Sequence, residues 1–131
     1  MRIGLLAESA TIVEFLSTAL GLAGHTVCAC ASEEALLASL FADSRVRTPL
    51  PYDLLILDVI LPETPSDLEL LALLDRAVAR LPLLVITSSS AHLVKRAEHT
   101  FPRAAFLLRP FHMDSLTHLM EVQTHRAVQA L

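Results

Sequence analysis

The chain has 131 residues, 53% of them hydrophobic, 18% charged and 3 of them glycine, a makeup that excludes a disordered tail and suits one packed domain, residues 1–131. A formal net charge of -4 with no Lys/Arg block excludes a surface built to hold nucleic acid. No apolar run reaches the roughly 18 to 20 residues needed to span a bilayer, and MRIGLLAES meets an acid without a signal-peptide cleavage pattern, so the expected setting is cytoplasmic, with no membrane partner.

The first apolar run, IGLLA at 3–7, has strand length, and a helical pattern over 11–23 follows it. Ile12, Leu16, Ala19, Leu20 and Ala23 share one face of that helix. Thr11 with Glu14 fits a capping box, and Gly24 supplies the stop. TVCACA at 26–31 reads as the second strand. Cys28 and Cys30, two apart, project from one face and are too poorly placed to bond to each other; two small buried thiols is the expectation. A helix over 32–42 comes next, with Ser32 as N-cap and Leu36, Leu37 and Leu40 inward. DSRVRTPLPY at 43–52 is long and irregular for a connection and reads as a surface loop.

LLILDV at 54–59 is the third strand. Ser66 with Glu69 offers a capping box before Leu70, Leu71, Leu74, Val78 and Leu81, and Pro82 closes that helix. LLVIT at 83–87, a helix over 91–99, AAFLL at 104–108 and a final helix over 114–131 complete five strand–helix pairs. The strand runs are nearly continuous in apolar residues rather than alternating, as in parallel strands buried on both faces. The spacing therefore predicts an α/β fold: a doubly wound, five-stranded parallel sheet with five helices on its two faces.

Four of the five strands end in a residue with chemistry: Glu8, Asp58, Thr87 and Arg109. In an open parallel sheet the ligand crevice lies beyond the C-terminal strand ends, where strand order reverses, and in the order 2-1-3-4-5 Glu8 and Asp58 become neighbours across that point. Paired carboxylates repel unless a cation joins them, and their hard oxygens favour Mg²⁺. The Thr87 hydroxyl and Arg109 guanidinium are suited to oxygens of a phosphoryl group on Asp58.

LLILDVILP, VITSS and FLLRPF together, over nearly the whole chain, resemble the receiver domain of two-component response regulators, a CheY-like, flavodoxin-like fold. That resemblance implies Asp58 as phosphoacceptor in a phosphorelay, Mg²⁺ held by Glu8, Asp58 and the backbone carbonyl of Ile60, a switch made of Thr87 and Phe106, and a cis bond before Pro110. It also implies a histidine kinase or phosphotransfer protein upstream and an effector protein downstream. Three departures stand out: Ala7 replaces the first of the family's acidic pair, Arg109 replaces its lysine, and PETPSDLE lacks the usual glycine.

Glu8, Asp58 and Arg109 carry one net negative charge, so Mg²⁺ binding is expected to be weak. Arginine's planar fork also suits a two-bond clamp on the Asp58 carboxylate. Two readings stay open: a phosphoacceptor signalling through protein contact, and a pseudo-receiver binding module working without phosphorylation. An enzyme of the aspartyl phosphatase kind is not expected, because Asp58-Val59-Ile60 lacks a second carboxylate two residues on. In the last helix, Leu116, Leu119, Met120, Ala127 and Leu131 form an apolar stripe that serves either its own sheet or a second copy of the chain.

Overall fold

A computed structural model describes residues 1–64 and 67–129, without the side chains of residues 128 and 129. One sheet holds five parallel strands, β1 (Arg2–Leu6), β2 (Thr26–Cys30), β5 (Leu54–Asp58), β6 (Leu83–Thr87) and β7 (Ala105–Leu108). Its order, β2-β1-β5-β6-β7, is the expected 2-1-3-4-5 once a separate hairpin, β3 (Phe41–Ala42) with β4 (Arg45–Val46), is set aside. Among the described residues there are five α-helices: α1 (Ala10–Leu22), α2 (Glu33–Leu40), α3 (Glu69–Ala77) and α4 (Ala91–Thr100) lie between strands, and α5 (Met113–Gln129) follows the last one. None of them, among the described residues, is long and apolar enough to cross a membrane.

Alternation along the strands divides the core in two. Ile3, Leu5, Leu54, Ile56, Leu84 and Ile86 meet Leu16 and Leu20 of α1 and Leu116 and Met120 of α5. On the other face Leu55, Leu57, Leu83 and Val85 meet Leu36, Leu40, Leu71 and Leu74, while Val94 and Ala97 of α4 pack beside Phe106. Each fully buried leucine contributes on the order of 1.5 to 3 kcal/mol. Both faces of the central strands are filled, which is why their sequences read as unbroken apolar runs.

Several local expectations are corrected. The N-cap of α1 is Ser9, whose hydroxyl accepts from the Ile12 amide at 3.4 Å, rather than Thr11; the helix starts a residue earlier, and Ser9 has the extended backbone a cap needs. Strand β2 is the sheet edge and is largely exposed, so Cys28 is exposed and only Cys30 is buried. Helix α3 stops at Ala77, because Val78 leaves the helical conformation and a turn from Val78 carries Leu81 into the core ahead of Pro82. The cap proposed at Ser66 lies outside the described residues, as does Leu131; Leu116 and Met120 are buried on the chain's own sheet.

The expected surface loop over 43–52 is partly ordered and partly core. Asp43 and Ser44 adopt φ of 51° and 67°, the positive pair that a two-residue type I′ loop requires, and fold β3 back on β4. Tyr52 is buried. Its hydroxyl donates to Ser39 Oγ at 2.8 Å and lies 3.5 Å from Cys30 Sγ, and burial pushes its pKa up to about 12.

Candidate functional site

Strands β1 and β5 pair in parallel with Leu6 opposite Leu57, so Glu8, two residues beyond β1, and Asp58, the last residue of β5, reach the same rim of the sheet. Both line one cleft with Ser9, Glu33, Ile60 and Arg109. Arg109 is brought there by its backbone: its amide donates to the Thr87 carbonyl at 2.8 Å, extending the β6–β7 ladder one step past Leu108.

Arg109 faces Asp58 with both terminal nitrogens: Nη1 donates a hydrogen bond to Oδ2 at 3.3 Å, and Nη2 lies 3.2 Å from Oδ1 in an ion-pair contact. The Asp58 side chain is only 7% exposed, and the Arg109 Nε is buried with no acceptor. A planar guanidinium matches a carboxylate in this way; a lysine ammonium is a point donor. Burial pushes the Asp58 carboxyl above the usual carboxylate range, Arg109 opposes that rise, and the nearby Glu8 adds to it. At Asp58, then, desolvation outweighs the pull of Arg109.

Thr87 closes β6 as expected but does not line the cleft. At 0% exposure its hydroxyl must be satisfied internally: Oγ1 donates to Ser89 Oγ at 2.9 Å and accepts from the Ser89 amide at 3.1 Å. Ser89 Oγ in turn accepts from the Leu61 amide at 2.9 Å, tying the segment after β5 to the segment after β6. Phe106 is half-buried and packs against the α3 and α4 side of the core. Ile60 lines the cleft and is 77% exposed as a residue, and the Arg109–Pro110 bond is cis.

The resemblance implies a divalent cation here, and the residues present fit it poorly. Both oxygens of Asp58 already face Arg109 nitrogens, Oδ2 through a hydrogen bond and Oδ1 through the ion-pair contact, and among the described residues no group of three or more His, Cys, Asp or Glu gathers as a metal site. Glu33, in the first turn of α2, also lines the cleft and escaped the sequence reading; Ser89 did too. Glu33 has no sequence signal beyond an acidic helix start. Ser89 stood visible inside VITSS, but which of the three consecutive serines 88–90 turns inward is a tertiary matter.

No family model matches the chain, and no curated protein matches it in sequence. Solved structures do match in fold. A response regulator receiver domain protein (CheY-like) from Methanospirillum hungatei JF-1 superposes with a TM-score of 0.75 at 17% identity, over 99% of this chain and 98% of that one. The non-phosphorylated HemR receiver domain from Leptospira biflexa gives 0.71 at 21% identity, over 94% and 93%. NtrX from Brucella abortus gives 0.76 at 18% identity, over 98% of this chain but 27% of its own length. The fold of the chain is the receiver fold.

Proposed function

We propose that this chain is a pseudo-receiver: a signalling module with the receiver fold that works through protein contact, with Arg109 occupying the place on Asp58 that a metal and a phosphoryl group take in a phosphoacceptor. The observation that carries this reading is the Arg109–Asp58 ion pair, in which each Asp58 oxygen has a guanidinium nitrogen within 3.3 Å. An incoming phosphoryl group needs an Asp58 oxygen free to attack in line, and both oxygens are engaged. It also needs a hydroxyl to receive it, and the Thr87 hydroxyl is committed to Ser89. In this reading Mg²⁺ binds weakly and is dispensable, the module is not an enzyme, it acts in the cytoplasm, and its partner is an effector protein engaged by contact; an upstream kinase-type or phosphotransfer protein belongs to the phosphoacceptor alternative.

The test is intact-mass measurement after incubation with Mg²⁺ and a small-molecule phosphodonor, with Asp58→Asn as control. The expected result is no phosphoryl adduct on the wild-type chain. A single adduct that Asp58→Asn abolishes would overturn the reading in favour of a phosphoacceptor.

A further inference from the structure

We infer that a cavity at the opposite end of the sheet from Asp58 binds a small organic carboxylate with a short apolar body, the carboxylate resting on Arg126. The cavity measures about 180 Å³, with Val78, Leu81 and Leu83 on its apolar walls and Asp75, Arg103, Gln123 and Arg126 as its polar groups, two cations against one carboxylate. Leu83 begins β6, so the cavity sits at the N-terminal rim, whereas Asp58 ends β5 at the C-terminal rim. The inference therefore stands apart from the reading of Asp58.

The two arginines differ in their partners. Arg103 is neutralised by Asp75, with Nη2 3.1 Å from Oδ1. Arg126 meets only neutral oxygens: Nη1 donates to Gln123 Oε1 at 3.1 Å and Nη2 to the Pro102 carbonyl at 3.0 Å. Among the described residues no carboxylate forms an ion pair with it. A guanidinium has five N–H donors, so Arg126 keeps donors and a full charge for an anion.

Gln123 explains why Arg126 is held in place. It is 2% exposed, one of two buried polar residues among those described, and its amide nitrogen donates to the Leu83 carbonyl at 2.7 Å and to the Arg103 carbonyl at 2.8 Å. With the nitrogen fixed, Oε1 has one direction left, and it holds the guanidinium at the wall before any ligand arrives. An apolar cavity of roughly 150 Å³ takes a benzene ring, so this space suits a ring or short chain bearing one carboxylate. An inorganic anion would leave Val78, Leu81 and Leu83 unused; a neutral apolar molecule would leave Arg126 unmet.

The test is a titration of the full chain followed by ¹H–¹⁵N chemical shifts, with benzoate as probe, benzamide as its neutral counterpart and inorganic phosphate as the bare anion. Benzoate is expected to shift the Leu83, Arg103, Gln123 and Arg126 amides saturably, with benzamide and phosphate at least about tenfold weaker. Arg126→Gln is expected to weaken benzoate about tenfold or more, and Ala127→Leu, which fills the cavity from its wall, to abolish it. Should Arg126→Gln fail to fold, Ala127→Leu decides. No saturable benzoate shift, equal shifts from benzamide or phosphate, or undiminished binding in the variants overturns the inference.

Discussion

The ring of Tyr52 lies directly against Gly4 in β1: a Cβ placed on Gly4 would stand 2.9 Å from Tyr52 Cδ2 and 3.0 Å from Leu55 Cδ1. Tyr52 cannot retreat, since its hydroxyl is fixed on Ser39. Gly4→Ala is therefore expected to destabilise the fold by about 1 to 3 kcal/mol through overpacking, read by urea denaturation. A variant as stable as wild type would mean that the ring has room to move.

Asp58→Asn is expected to be at least as stable as wild type at pH 7. Burial raises the Asp58 pKa in the folded chain, so its contribution to stability is fully present below the unfolded-state value and is lost as pH rises through the folded value. Neutralising the side chain removes that loss. Thermal unfolding at pH 7 and at about pH 4 checks the sign: the advantage of Asp58→Asn is expected to shrink on acidification.

Arg109→Ala frees both oxygens of Asp58 and removes one positive charge from a cleft that also holds Glu8 and Glu33. Mg²⁺ affinity is expected to rise on the order of tenfold, about 1.4 kcal/mol, by isothermal titration. Unchanged weak binding would place the obstacle in the spacing of the carboxylates instead.

Ser89→Ala leaves the Leu61 amide without its acceptor and the Thr87 hydroxyl without its partner. A cost of about 1 to 2 kcal/mol is expected, with faster hydrogen exchange at the Leu61 amide as the local sign.

Gln123→Leu keeps the bulk but strips the donor from two carbonyls, Leu83 and Arg103. Two acceptors left wanting are expected to cost about 2 to 4 kcal/mol in urea denaturation.

What could be read in the sequence follows from what surrounds each residue. Leu83–Thr87 showed its limits directly, because a central parallel strand is covered on both faces and leaves an uninterrupted apolar run. Strand β2 is also a short, largely apolar run but lies at the edge, and that pattern does not distinguish a covered thiol from an open one at Cys28. The β3–β4 hairpin has two residues per strand, too few for any period, and its turn is made by Asp43 and Ser44 without a glycine to announce it. At the site, strand-end position brought out Asp58, Glu8 and Arg109. The inward turn of Thr87 depended on Ser89 being within reach, and the burial of Gln123 on two carbonyls supplied by distant segments.

The chain of bonds from the Leu61 amide through Ser89 to Thr87 has a mechanical consequence. Two neighbouring loops share one serine, so neither shifts alone. A force on the first loop is therefore carried to the second through that one side chain.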